Sequence, residues 1–513
     1  MCKKILYTFL LVTLFVSCTE DKGNYDYVDE KDIIDVSFSG IADRYEVVLG
    51  DTLQINPILG ELNTNQKHEY LWYIVTQKAL NGKMPIRKEL SEDVNLNAVI
   101  NGVDATTYTL YLQVTDVKTG VFVQDSTTLV VQESDISSGW YLLKEQDGMT
   151  DIDYIKLTNN KIYSNLLKDY SINGDVRLEG SPVAISYQIS GYYHNIADEE
   201  TGTVTTTALT RIIHVASTKD VRTYQRGNFT LYKDFKEQFY DAPAVSRPQS
   251  LFFNSGMFFL NDGELYTTTT ALKGIGKYMP ARINGGNLSS HMLMWNGYAM
   301  LYDESTRSLC YGNNSFSSTT ISPFTDKVVD GGVISSSNMN YELIAVPTSL
   351  SNATSNSVRT LLMRSVIDNN YYTVDITLDG KSGFDCPLGT FKRVAQDSKV
   401  LQSSIFASQR SMIEFYFAVD NSLYYYDHNS LTDAKREVKI LDYPSNEIIS
   451  NISHQRTTAK NMALNVFTYD KNTDTWKMYI HSIPSENTVT INTTPEAVFS
   501  GKGKVKGMFY TGS

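Results

Sequence analysis

A short plan of apolar strands and glycine turns recurs along this chain, and it limits the possible fold more than any other feature. Leu251-Phe252-Phe253 meets a turn at Asn254-Ser255-Gly256, then Met257-Phe258-Phe259-Leu260 meets another at Asn261-Asp262-Gly263, and Glu264-Leu265-Tyr266-Thr267-Thr268 follows. Three strands joined by two tight turns make an antiparallel meander. The next copy runs through His291-Met292-Leu293-Met294-Trp295, Asn296-Gly297, Tyr298-Ala299-Met300-Leu301-Tyr302 and Ser308-Leu309-Cys310-Tyr311, its first turn 42 residues after the preceding one. Ser404 to Ala407, Ile413 to Ala418 and Leu423 to Tyr426 repeat the plan, and Ala463 to Tyr469 with Trp476 to Ile480 repeat its later half. A unit of about four strands recurring every ~40 to 60 residues cannot bury both its faces alone, and stacking such units radially gives a β-propeller. Starts near 140, 185, 251, 291, 341, 404 and 462 give seven blades, and the final strand, Gly503 to Tyr510, is expected to complete the first. The rival arrangement is two stacked sandwiches.

Turns at Tyr302-Asp303, Tyr426-Asp427 and Tyr469-Asp470, each followed by Ser, Thr or Asn, fit this plan, because an Asp carboxylate caps the backbone of a tight turn. They resemble the hairpin of kelch repeats. Before residue 140 the pattern differs. Tyr45 to Leu49, Thr52 to Asn56, Tyr70-Leu71-Trp72-Tyr73-Ile74-Val75, Thr107 to Asp116 and Thr127 to Val131 alternate apolar and polar residues between turns. About seven short strands in a hundred residues, with Trp72 at a core position, predict an immunoglobulin-like sandwich. The Tyr70-Leu71-Trp72 centre and the Tyr108 to Asp116 strand with its Asp-x-x-x-Gly exit resemble the polycystic-kidney-disease (PKD) type of this domain. The glycine-rich turn usual after the tryptophan strand is replaced by Thr76-Gln77-Lys78. The chain therefore reads as all-β: leader 1–17, acidic tether 18–34, sandwich 35–133, linker 134–139 and propeller 140–513.

The leader sets the address. Lys3 and Lys4 precede an uncharged apolar run from Ile5 to Phe15, and Phe15-Val16-Ser17-Cys18 ends it with the pattern of a lipoprotein cleavage site. The run is shorter than the ~20 residues that span a bilayer. Cys18 is thus expected to carry lipid, and Glu20 and Asp21 just after it resemble the surface-export signal of Bacteroidetes lipoproteins. With the Cys-Thr-Glu-Asp-Lys-Gly-Asn-Tyr-Asp-Tyr leader, the resemblance is to the PKD-like lipoproteins of that phylum. It implies a non-catalytic accessory of an uptake system, with a TonB-dependent outer-membrane transporter and a SusD-like lipoprotein as partners and an oligosaccharide or peptide as ligand. The net charge of −12, or −14 once Lys3 and Lys4 leave with the signal, disfavours nucleic acid and anionic lipid. Cys310 and Cys386 are the two cysteines left in the folded part, expected as separate buried thiols.

No motif assembles a catalyst. His-Glu-x-x-His, Gly-x-Ser-x-Gly and a complete Walker loop are absent, and the seven histidines are scattered singly. No cofactor or metal is expected. Asp147, Asp151 and Asp153 lie close enough in sequence to suggest a carboxylate pair, which glycosidic chemistry needs at ~5 to 9 Å, although a polar hairpin turn at Asp147-Gly148 explains them as well. The alternative function is accordingly a propeller-type glycoside hydrolase or polysaccharide lyase. Trp295 before the Asn296-Gly297 turn, Tyr298 after it, and the Tyr192-Tyr193 pair are the candidate ligand-stacking aromatics. Trp140 and Trp476 are further aromatics of this kind, with blade packing as the simpler role for every tryptophan.

Overall fold

A computed structural model of the chain describes residues 36–511 except 61, 63–65, 77–86, 133–137, 189–192, 198–203, 209–211, 228, 254–255, 269–275, 284–285, 296, 316–318, 330–331, 348–356, 379–383, 409–411, 433–435, 457–461 and 486–487. Two compact units result. One comprises the described residues through Glu46 with Thr52–Ala98 and Thr107–Val130, and the other Val47–Asp51, Val99–Thr106 and everything from Val131.

The N-terminal strands form a five-stranded antiparallel sheet in the order Arg44–Val48, Phe122–Gln132, Thr107–Asp116, His68–Thr76 and Arg87–Ser91, with two-stranded ladders at Thr52–Ile55/Leu96–Val99 and Ser37–Ser39/Ile58–Gly60. Alternation drives the burial. Tyr108, Leu110, Leu112 and Val114 all face the core while the residues between them stay partly exposed. Trp72 is fully buried opposite Leu112, its indole N–H donating to the Val94 carbonyl at 3.1 Å. The Asp116 carboxylate accepts from the backbone N–H of Lys118 and Thr119 at 2.9 and 2.8 Å, and Gly120 closes the turn at φ +70°. Its short polar side chain thereby replaces the hydrogen bonds the strand loses at its end.

Beyond the sandwich, seven antiparallel sheets follow in chain order. Five use strands consecutive in sequence: blade 3 from Pro248–Phe253, blade 4 from Leu293–Trp295, blade 5 from Tyr341–Ala345, blade 6 from Phe406–Ser408 and blade 7 from Ile448–Arg456; blade 2 starts at Pro182–Gln188 and continues from Ile212–Ser217. Among the described residues blade 3 has three strands, blade 1 five, with Leu178–Glu179 added at Met149–Lys156, and the others four. Blade 1 joins Gly139–Gln146, Met149–Lys156 and Ile162–Tyr163 to the last strand of the chain, Lys504–Thr511, which pairs antiparallel with Gly139–Gln146.

The apolar clusters decide between a ring and stacked sandwiches. Among the described residues, each pair of successive sheets shares one. Tyr141, Leu143 and Tyr154 of blade 1 meet Ile213, Val215 and Tyr224 of blade 2, and Val221 of blade 2 meets Leu251 and Phe259 of blade 3. Phe258 and Leu260 meet Met294 and Leu301; Leu293 and Met300 meet Leu361 and Met363; Leu362 and Val394 meet Phe415 and Phe417; Tyr416 and Leu423 meet Leu464 and Val466. Phe467, Trp476 and Met478 of blade 7 then return to Trp140, Leu142 and Val505 of blade 1. Neighbours in sequence such as Tyr141 and Leu142 go to opposite clusters because successive side chains in a strand point to opposite faces. The seven seams close on themselves, which makes the body a seven-bladed propeller.

Two expectations need correction in detail. The seventh blade starts at Ile448, not near 462, because its first strand reads Ile-Ile-Ser-Asn-Ile-Ser-His-Gln-Arg and its polar residues hide the period. Between the first two strands of blade 2 an additional hairpin, Tyr193–Ala197 with Val204–Ala208, is inserted. The three Asp turns form as expected, with Asp303, Asp427 and Asp470 each accepting from the backbone N–H two residues on, at 2.9, 2.8 and 2.9 Å. Cys310 and Cys386 are free, buried thiols, and burial pushes Cys310 up to about 12.

Candidate functional site

The acids singled out in the sequence lie in blade 1. Asp147 and Gly148 make the two-residue turn between Gly139–Gln146 and Met149–Lys156, with φ +54° and +72°, the conformation that favours such residues in a hairpin. Asp151 and Asp153 alternate with Ile152 and Tyr154, so both carboxylates face away from blade 2 and toward blade 7.

There they are consumed by protein partners. Asp153, with no exposed surface, pairs with Lys144 Nζ at 2.7 Å, and accepts from the Trp476 indole N–H at 3.0 Å and the Asn165 backbone N–H at 2.9 Å. Lys144 Nζ also donates to Asn165 Oδ1 at 2.7 Å and the Lys502 carbonyl at 3.2 Å. Asp151 Oδ1 accepts the backbone N–H groups of Ile152 and Leu167 at 2.7 and 2.9 Å. Burial nonetheless dominates and pushes Asp151 up to about 7. A glycosidic pair must present its oxygens to a sugar between them. Asp153 instead ties the first blade to the last, while Asp151 is bonded within the first.

A second constellation escaped sequence reading because its members come from two blades. Thr373 and Asp375 sit two apart on Tyr371–Leu378 of blade 5, and His428 follows Ser422–Tyr426 of blade 6. His428 Nδ1 lies 2.9 Å from Thr373 Oγ1, and its Nε2 lies 3.3 Å from Asp375 Oδ1. The order hydroxyl, imidazole, carboxylate is that of a nucleophilic triad. Thr373 and His428 are buried, however, and burial lowers the His428 pKa, with the nearby Lys392 adding to the effect. The group works as a hydrogen-bonded tie between blades. Glu447, just before the first strand of blade 7, is instead bound within that blade, accepting from Lys477 and Thr468 at 2.5 Å and from Tyr479 at 3.0 Å. No group of three His, Cys, Asp or Glu side chains could hold a metal ion among the described residues.

The aromatic candidates divide. Trp295 is 2 % exposed and belongs to the seam between blades 4 and 5, its ring stacked on Phe324 at 6.0 Å. It stands beside the hairpin turn as expected, paired with Tyr298, but its indole faces the next blade and not solvent. Tyr298, half-buried, meets Trp295 at 5.5 Å and the edge of Phe384 at 5.0 Å. Trp140 and Trp476 are buried in the closing seam. Tyr193 opens the additional hairpin opposite Ala208, but its side chain, like Tyr192 and the lipidation candidate Cys18, lies outside the described residues.

Comparison with known proteins supplies one sequence match and several structural ones. The profile of the PKD-like family matches residues 18–182, beginning at Cys18 and running past the sandwich through the first blade's N-terminal strands. No curated protein matches. Among solved structures, a quinonprotein alcohol dehydrogenase-like protein from Bacteroides thetaiotaomicron VPI-5482 aligns at 12% identity over 92% of this chain and 97% of that one, with a TM-score of 0.47. Dihydro-heme d1 dehydrogenase NirN aligns at 10% identity over 74% and 76%, with a TM-score of 0.36. PorZ, a surface component of the type-IX secretion system of Porphyromonas gingivalis, aligns at 10% over 68% and 64%, with a TM-score of 0.18.

Proposed function

We propose that this chain is a surface-exposed outer-membrane lipoprotein, a non-catalytic accessory of a TonB-dependent nutrient-uptake complex that binds or scaffolds glycan or peptide ligands beside a SusD-like partner. The observation that carries the reading is the junction at Cys18, where the lipoprotein cleavage pattern ends and the PKD-like family match begins. The fold supports it. Asp151, Asp153, Thr373, Asp375 and His428 are committed to contacts within or between blades, which suits a rigid platform better than turnover.

The test begins with Cys18→Ala, which removes the acylation site and should release the protein from the membrane, since no helix among the described residues is long and apolar enough to cross one. Labelled palmitate should enter the wild type alone, and added protease should digest the wild type on intact cells. A C-terminally tagged wild type should bring an outer-membrane transporter through purification. Equal palmitate labelling, or protection until lysis, refutes the address. New reducing ends or amines from bound oligosaccharides or peptides refute the non-catalytic role.

A further inference from the structure

One face of the five-stranded sandwich sheet holds the core, and the other is uncharged at its centre. Tyr108, Leu110, Leu112 and Val114 are buried, so alternate residues from Thr109 to Thr115 point the other way, and their cross-strand partners from Phe122 to Thr128 share that face. They are hydroxyl, amide or aromatic, with no acid or base among them. Solvent reaches them: Phe122 is 52 % exposed, Gln124 and Ser126 are exposed, and Tyr111 is partly so. Tyr111 has one ring face engaged. Tyr73, directly opposite on His68–Thr76, stacks on it with centroids 5.0 Å apart and planes 13° apart, and the Arg87 guanidinium, from the next strand, lies 4.1 Å from the Tyr73 ring. The Tyr73 hydroxyl also donates to Gln124 Oε1 at 3.1 Å, which pins the stack. Because Tyr73, Tyr111 and Ser126 follow one another across the sheet, the second face of the Tyr111 ring turns toward Ser126, whose side chain is too small to cover it. Gln113 donates to Thr115 Oγ1 at 3.1 Å, leaving its amide oxygen as an acceptor beside the ring.

A pyranose ring offers a C–H face that packs on an aromatic ring and a rim of hydroxyls that needs donors and acceptors beside it. We propose that Tyr111 and Ser126, with the amides of Gln113 and Gln124, form a stacking subsite for one ring of an uncharged saccharide. This rests on the binding reading above and deepens it by choosing the glycan. An extended peptide adds to a sheet through a free strand edge, and both strands here are interior to theirs. An acidic sugar would find no base among these residues and a net charge of −12 around them.

Isothermal titration of the full mature chain tests the subsite, with maltohexaose, cellohexaose and xylohexaose as neutral probes, hexagalacturonate as an acidic one and pentaalanine as a peptide. Saturable binding of at least one neutral hexasaccharide is expected, weakened at least tenfold in Tyr111→Ala and nearly retained in Tyr111→Phe. Ser126→Tyr fills the space beside the ring without removing it and should weaken binding as much; Ser126 is exposed, so this variant carries the test even if Tyr111→Ala fails to fold. Arg247→Gln, which breaks an exposed pair with Asp262, should bind like the wild type. Full affinity in Ser126→Tyr overturns the subsite and leaves the broader binding reading standing, as does binding of pentaalanine alone. Preference for hexagalacturonate over every neutral probe overturns the uncharged ligand. Binding of no probe overturns the subsite, and failure to bring a transporter through purification as well refutes the broader reading.

Discussion

Asp153→Ala is the sharpest test of how the ring is held shut. The carboxylate neutralises Lys144, whose ammonium has no exposed surface, and receives the Trp476 and Asn165 N–H groups. Removing it leaves a buried charge with two neutral acceptors, Asn165 Oδ1 and the Lys502 carbonyl. Stranding one partner of a buried pair costs about 3–5 kcal/mol, and the two orphaned donors add roughly 1–3 kcal/mol each if no water reaches them. The loss falls on the seam between blades 7 and 1, so urea unfolding followed by tryptophan fluorescence should report it through Trp140 and Trp476. The midpoint should fall well below that of the wild type. In Lys144→Met/Asp153→Leu, with charge and partner both replaced by apolar groups of similar size, most of the loss should be recovered. An Asp153→Ala protein as stable as the wild type, or a double variant no better than the single one, would refute this account of the seam.

Three further outcomes follow from the same structure. Asp151 has its folded pKa at about 7 against ~3.9 unfolded, so the unfolded chain loses this proton first and stability should fall between about pH 4 and pH 7, then level off; Asp151→Asn should flatten that slope in denaturant midpoints taken across the range. Deleting Lys504–Thr511 removes the strand that pairs with Gly139–Gln146 and should abolish cooperative thermal unfolding of the propeller, measured by circular dichroism. Trp295→Ala should destabilise the body by about 3–5 kcal/mol, as loss of a buried aromatic does, without selectively weakening ligand retention in a pull-down.

Much of this fold is legible in the sequence because the governing signals are local. Alternation in Thr107–Asp116, the glycine turns at Asp262-Gly263 and Asp147-Gly148, and the Asp-led turns each depend on a few adjacent residues. The blade period adds them up, and even the closing strand can be anticipated from one leftover run at the C-terminus. What the sequence hides is polar and long-range. Ile448–Arg456 looks like a loop because the adjacent polar pairs Ser450-Asn451 and Ser453-His454 break the alternation of a strand. Asp153 looks like half of a catalytic pair until Trp476, 323 residues away, donates to it. His428 finds Thr373 across 55 residues. Trp295 misleads for another reason: a tryptophan next to a turn can face solvent or the next blade, and nothing within its own hairpin distinguishes the two.

The joining of Lys504–Thr511 to Gly139–Gln146 also imposes an order on the protein's birth. The contact between Gly139 and Thr511 spans 372 residues, so a chain emerging N-terminus first must carry an unfilled edge at its first blade until almost its last residue has appeared. Throughout that interval the exposed backbone of Gly139–Gln146 is open to pairing with any extended segment, its own or another molecule's. Such a chain gains from staying unfolded until its closing strand has been made and from finishing in a single late docking event, and any fragment lacking that strand is a sticky species rather than a smaller propeller.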